Sequence, residues 1–254
     1  MKMNFDYAPP EAAPQLRALW KQAFGDGDDF LDAFFGLCFS PTRSRCIFRE
    51  GEVVSNLYWF DLTCRGEKMA YLYAVATRKD CRRQGLCRAL LTDTRRVLTA
   101  RGYTAALLCP ENAALARMYA EQGYLPVCKI DEFTMTAGAR PLPLRQVSPE
   151  EYASLRRRFL PAGSAQQEPC FWELLARDAR LMAGADFLVT VRQEKDRLLA
   201  LELLGNREAA PGILAALGYR EGIFRSPGTG KDFAMFLPLV PGTKAPAYYG
   251  LGLD

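Results

Sequence analysis

Apolar positions in the first half of the chain switch between helical and alternating spacing, and the switches mark out its elements. After a short strand at about residues 3–7 and the break Pro9-Pro10-Glu11, Leu16, Leu19, Trp20 and Phe24 recur at helical intervals. The glycine- and aspartate-rich turn 25–29 ends that helix, and Phe30, Leu31, Phe34, Phe35 and Leu37 predict a second amphipathic helix over 28–38. Strands follow at 45–49 and 53–63, with Glu50-Gly51-Glu52 as their hairpin turn. An apolar run at 69–76 leads into the polar stretch 77–88, beyond which Leu90, Leu91, Val97 and Leu98 mark a helix stopped by Gly102. Residues 104–109 read as a buried strand and 111–122 as a helix. Two strands close the unit by about Thr136, giving the order β-α-α-β-β-β-α-β-α-β-β.

Residues 136–143, with Gly138, Pro141 and Pro143, read as a linker. Beyond it the pattern restarts: a strand at 142–147, helices at 149–159 and 171–182, then strands at 187–191 and 198–204. This predicts two domains, 1–136 and 144–254. An internal repeat points the same way. Leu107-Leu108-Cys109-Pro110-Glu111-Asn112 followed by Gly123-Tyr124 is echoed by Leu203-Leu204-Gly205-Asn206 followed by Gly218-Tyr219, each reaching Gly-Tyr at a helix end.

Composition narrows the function classes. The 254 residues carry 33 basic and 29 acidic side chains, a net +4 that is too small to make nucleic acid the default partner. No run approaches the roughly 18 apolar residues of a membrane span, and the opening residues lack a signal-peptide apolar region, so a cytoplasmic location is expected. The eight cysteines form no C-x-x-C pair, which predicts reduced, mostly buried thiols. Histidine is absent, which removes Ser-His and Cys-His nucleophile designs and every histidine-containing metal site, and no metal is expected. Proton transfer must use Tyr, Asp, Glu, Lys, Cys or water.

The polar stretch after the third apolar run has the layout of a pyrophosphate site: strand, tight basic loop with one glycine, then helix, whose unpaired N–H groups face an anion. Gly85 permits close backbone approach, while Arg78, Lys79, Arg82, Arg83 and Arg88 add long-range attraction. A solvated basic surface loop is the competing explanation. The run Val75-Ala76-Thr77 through Arg82-Arg83-Gln84-Gly85-Leu86-Cys87-Arg88 resembles the acetyl-CoA motif of the GNAT superfamily of N-acetyltransferases, in which Arg or Gln is followed by two residues, Gly, one residue, and Gly or Ala. Arg82 and Gly85 fit; Cys87 departs from the final small residue. A second stretch, Asn112-Ala113-Ala114 through Met118-Tyr119-Ala120-Glu121-Gln122-Gly123-Tyr124, is similar to that family's helix after its fifth strand.

The resemblance covers about residues 3–136 well and the remainder weakly. It implies an α+β, GNAT-like fold with a mixed sheet, followed by a second, smaller, degenerate GNAT-like domain. It implies acetyl-CoA as cosubstrate and a primary amine of a small molecule or peptide as acceptor. The cofactor-binding residues would be Val75, Ala76, Thr77, Arg82, Arg83, Gln84, Gly85, Leu86, Cys87, Arg88 and Asn112. Tyr119 would act as general acid toward the leaving thiolate; a core aromatic on an amphipathic helix is its structural alternative. Asn112 is also a potential helix cap. Asp26, Asp28 and Asp29 lie where this fold usually builds its acceptor site, against the simpler reading of an exposed acidic turn. The tail 247–254 resembles the ends of related multi-domain members, and its docking would carry Asp254 toward the site.

Two other motifs fail. Residues 226–231 lack the earlier glycine and the Ser or Thr of a phosphate loop, and a single glycine at 85 does not make a dinucleotide fingerprint. The rival from another class is a non-catalytic acyl-CoA-binding regulatory module. The second domain is expected neither to bind cofactor nor to catalyse, since residues 192–197 leave no room for a pyrophosphate loop and its helix.

Overall fold

In the computed structural model, which describes residues 3–253, strand β1 (Asn4–Asp6) precedes helix α1 (Ala13–Phe24), whose Leu16, Leu19 and Trp20 face the core. Gly25 ends α1 at φ +83°, returning its N–H to the Lys21 carbonyl at 3.0 Å. Helix α2 (Asp28–Leu37) opens with Asp28 and Asp29 in its positive first turn and buries Leu31 and Phe34. Strands β2 (Ser44–Arg49), β3 (Glu52–Cys64) and β4 (Glu67–Thr77) form an antiparallel meander. Helix α3 (Leu86–Ala100) crosses to β5 (Ala105–Leu108), parallel to β4, and α4 (Ala113–Ala120) leads to β6 (Leu125–Thr136).

The second half contains β7 (Arg145–Gln146), α5 (Pro149–Phe159), β8 (Gln166–Gln167), α6 (Pro169–Leu175), β9 (Arg180–Ala183), β10 (Phe187–Glu194), β11 (Arg197–Gly205), α7 (Ala210–Leu217), β12 (Glu221–Pro227) and β13 (Lys231–Pro238). The helix expected over 171–182 stops at Leu175. Residues Arg180–Ala183 instead pair with Leu188–Val191, because a short apolar run that finds a partner strand gains a ladder that local spacing cannot reveal. The stretch between β6 and β7 is docked, not free: Gly138 and Leu142 donate backbone bonds to Pro211 and Gly212 of α7 at 2.9 and 3.1 Å.

One sheet runs through both halves in the order β1-β2-β3-β4-β5-β13-β6-β12-β11-β10-β9-β7. The expectation of two closing strands before Thr136 is corrected here. Only β6 follows α4, and the strand between β5 and β6 is β13, from the far end of the chain. In return the second part of β6, from Ile130 to Thr136, pairs with β12. The halves therefore exchange a strand across a pseudo-twofold centred on the β13–β6 pair, and each completes the other's sheet. Helices α1, α2, α5 and α6 cover one face in a single apolar cluster, while α3 and α4, and separately α7, cover the other.

This topology also corrects the repeat alignment. The parallel pair β11–β12 is bridged by α7 as β4–β5 is bridged by α3. The shared Gly-Tyr marks a shared helix cap. Gly123 and Gly218 have φ of +89° and +77°, and Tyr124 and Tyr219 return their N–H groups to Tyr119 and Leu214 at 3.2 and 3.0 Å.

Candidate active site

The sheet opens where β4 leaves β5. The two pair only from Met69–Ala105 to Tyr71–Leu107. Beyond that, Ala74 sits at φ +48° in a bulge that shifts the β3–β4 register between Asn56 and Tyr58. Past the bulge Asn56 and Ser55 pair with Ala76 and Thr77, so β4 stays bound to β3 while its β5-side edge has no ladder partner among the described residues. Val75, Ala76 and Thr77 occupy this edge.

The basic loop folds back over the strand end. Arg82 Nε donates to the Thr77 carbonyl at 3.1 Å, Arg78 forks onto Asp80, and Gln84 accepts from Arg49 at 2.7 Å. Arg83 and Gly85 adopt φ of +59° and +75°. A Cβ added at Gly85 would meet no atom within 4 Å, so the glycine is required by its left-handed backbone and keeps the space ahead of α3 open. Gly85 caps α3 without a side chain, leaving first-turn N–H groups of Leu86, Cys87 and Arg88 without the partner a capping oxygen would supply. The side chain of Leu86 is buried in the core; Cys87 is half-buried, its thiol pushed up to about 11 by burial. Arg88 is exposed and contacts Glu121 at 3.3 Å. Two clefts flank α3. One of about 240 Å³ lies toward α4, lined by Arg88, Arg95, Gln122 and Tyr124 among others; one of about 380 Å³ lies toward β1, lined by Phe5, Gly85, Arg88 and Arg96 among others.

Tyr119 projects from α4 into the cluster beneath α3, its ring 5.8 Å from Tyr124 and edge-on. Burial above all, then the neighbouring Cys87 and Tyr124, raises its hydroxyl above the ordinary tyrosine range. It therefore keeps its proton throughout the neutral range. Asn112 caps α4: its Oδ1 accepts from Ala114 and Leu115 N–H at 3.1 and 3.0 Å, so only its Nδ2 remains for another contact. Tyr119 and Asn112 thus belong to the helix that follows β5 and its cap, with Tyr119 buried next to Cys87 of α3.

The other face of the split is aromatic. Trp20 lies 4.6–5.5 Å from Phe34, Tyr58 and Tyr73, and its indole N–H donates to Asp26 at 2.7 Å. No cation pairs with Asp26 among the described residues, whereas Asp28 lies between Lys21 and Arg17. Asp29 is exposed. Local reading missed Asn56 and Tyr58. Both point to this face from β3, both are 2% exposed, and neither Asn56 Oδ1 nor Tyr58 hydroxyl has a hydrogen-bond partner among the described residues. A lone asparagine in the apolar run 53–60 was the available signal. The tail docks here too: the Tyr249 ring lies tilted against Tyr71 with centroids 5.4 Å apart, and the Leu253 N–H reaches the Tyr71 hydroxyl at 3.4 Å. Asp254 lies outside the described residues.

The geometry is that of a mixed sheet split between β4 and β5 beside a helix N-terminus, with a buried tyrosine beneath that helix. By sequence comparison, residues 4–127 match the acetyltransferase (GNAT) domain family. The matched stretch, residues 4–127, has the sequence of a GNAT-type acyltransferase domain. No curated protein matches the chain by sequence. Among solved structures, a GCN5-related N-acetyltransferase from Anabaena variabilis superposes with TM-score 0.73 at 17% identity, over 94% of this chain and 73% of that one. Its counterpart from Kribbella flavida gives 0.69 at 15%, over 92% and 70%. A tandem GNAT protein of the clavulanic acid biosynthesis pathway gives 0.60 at 14%, over 95% and 100%. At these identities the likeness speaks for the fold, and it extends across both halves.

Proposed function

We propose that the protein transfers an acetyl group from acetyl-CoA to a primary amine by direct attack, with Tyr119 as general acid. The observation that carries this reading is the edge of β4 at residues 75–77, which has no ladder partner among the described residues, beside the uncapped N-terminus of α3, under which Tyr119 is buried next to Cys87. The pantetheine amides would pair with that edge as an added strand, and the pyrophosphate would sit on the N–H groups of Leu86, Cys87 and Arg88 among the arginines at 82, 83 and 88. Gln84 and Asn112 would contribute at the margins, both already partly engaged. The thioester supplies the activated acyl carbon. A free N–H along the edge would stabilise the oxyanion.

The proton balance follows from the groups present. An ordinary alkylamine, pKa about 10.4, must lose a proton before or during attack, and a thiolate with conjugate-acid pKa near 8.5 gains one when the C–S bond breaks. A tyrosine raised above its usual value gives up its proton reluctantly, so Tyr119 donates its hydrogen bond first and the proton released by the amine restores the balance. Asp26, fixed by Trp20 and without a cationic partner among the described residues, is the carboxylate best placed on the acceptor side to take the amine's proton. By this reading the chain divides at 136–144 into a catalytic domain and a degenerate GNAT-like copy, joined by the exchanged strands.

An acetyl-transfer assay over a panel of alkyl, arylalkyl and peptide amines, paired with calorimetry using CoA, tests the proposal. Transfer to at least one amine is expected. CoA binding with no turnover on any of them would instead make the protein a non-catalytic acyl-CoA-binding regulatory module.

A further inference from the structure

The seam between the halves contains a thiol pair that local sequence could not bring together. Cys38 ends α2 and Cys170 lies in the first turn of α6. The Cys38 thiol donates to the Cys170 carbonyl at 3.3 Å, which sets the two cysteines side by side across the seam. Arg43 stands beside them, held by Glu168, which also accepts from the Asp61 backbone N–H at 2.7 Å. Cys38 is buried and Cys170 half-buried, so an external reagent reaches the second first.

We infer that Cys38 and Cys170 form a reversible redox site that staples α2 of the first half to α6 of the second when the protein meets a low-molecular-weight disulfide. Cys170 attacks one sulfur of the reagent, making a mixed disulfide and releasing one thiol. Cys38 then attacks the Cys170 sulfur, passing its proton to the departing thiolate. Two protein thiols and one small disulfide become one protein disulfide and two small thiols. Four of the other six cysteines frame the selectivity. Burial pushes Cys46 and Cys128 up to about 12 and Cys87 to about 11, and also raises Cys64, whereas the hydrogen bond from Cys38 lowers Cys170 despite its partial burial.

The test uses the full chain in glutathione buffers of increasing oxidised fraction, quenched with acid and mapped by peptide mass spectrometry. The expected product is a single Cys38–Cys170 cross-link, reversed by dithiothreitol, with a melting temperature about 5 °C above that of the reduced protein. Cys38→Ser should trap a stable glutathione adduct on Cys170, and Cys170→Ser should leave Cys38 unmodified; melting curves of the reduced variants establish that they are folded. Cross-linking of any other pair, an adduct that persists on Cys170 while Cys38 stays free in the wild type, or no reaction at Cys170 would overturn the inference. None of these readouts needs an amine or CoA, so the outcome is separate from that of the acetyl-transfer assay.

Discussion

The two crossovers of this sheet start from the same topology and end with opposite contents. After β4, the loop 78–85 has no capping side chain, carries several arginines and feeds a helix running Leu86–Ala100. After β11, Asn206 caps the turn by accepting from Glu208 N–H at 3.0 Å, Glu208 puts negative charge at the start, and α7 spans only Ala210–Leu217. The clefts on the opposite face differ in the same way. Beneath α1, Trp20 leaves Asn56 Oδ1 and the Tyr58 hydroxyl unmet. Beneath α5, Arg156 forks onto Glu202 with both bonds at 2.7 Å, Gln167 accepts from Arg156, and Tyr248 donates to Glu202. The second half meets its buried carboxylate with its own cation and caps its turn. The first half leaves those two buried polar atoms unmet among the described residues and the N-terminus of α3 without a capping side chain.

The most severe way to break this pairing is to separate the halves. A fragment ending at Thr136 lacks β13, so β5 and β6 lose the strand between them, and β6 also loses β12. We expect the fragment to be unfolded or aggregated by circular dichroism and gel filtration; a cooperative thermal transition would show that the exchange is dispensable. Within the intact chain, Arg156→Ala strands a carboxylate that is 0% exposed. The expected loss is about 3–5 kcal/mol of unfolding free energy, measured by urea titration. Replacing the Arg156–Glu202 pair together with Met and Leu should recover much of it.

The same contrast explains what the sequence could convey. Helix α1, the hairpin β2–β3, the basic loop and the caps are governed by residues within a turn or two of one another, so spacing and glycines located them. The β13 insertion depends on pairing between Met235 and Leu108, and nothing near either residue encodes the partner. Gly-Tyr misled the repeat alignment because a left-handed cap followed by an aromatic ends many helices, whichever strands they bridge. In the candidate site, Arg82, Gly85 and Tyr119 were legible through their motif spacing. Trp20, Asn56, Tyr58 and Asp26 were not legible as a group, because three elements bring them together.

Two substitutions in the open half sharpen the comparison. Tyr119→Phe keeps the ring against Tyr124 and removes only the hydroxyl, so single-turnover rates should fall about 100-fold while CoA affinity changes less than about 3-fold. An unchanged rate would make Tyr119 a packing residue. Gly85→Val should be milder. At φ +75° a branched side chain is strained, and it would occupy the space in front of α3, so CoA binding should weaken by about 2 kcal/mol, with raised salt weakening the wild type in the same direction. Calorimetry on material shown to be folded checks this.

The smallest expected effect is the most discriminating, because it probes the second half at the place topologically equivalent to the basic loop 78–85. Residues 192–197, where room for such a loop was first sought, span the β10–β11 hairpin, which corresponds to β3–β4. The true counterpart is Gly205 to Ala209. Asn206→Ala removes the capping oxygen and frees the Glu208 N–H, and should cost about 1 kcal/mol of stability. If this turn were a second anion site masked by its own cap, uncapping it would create or strengthen CoA binding. If it is closed because Glu208 and the short α7 cannot hold a pyrophosphate, CoA stoichiometry stays at one per chain and the affinity moves by less than about 2-fold. Titration calorimetry of Asn206→Ala, beside a loop variant with Arg82, Arg83 and Arg88 changed to Gln, separates the two: one site lost in the loop variant and none gained in Asn206→Ala would leave cofactor binding to the first half alone.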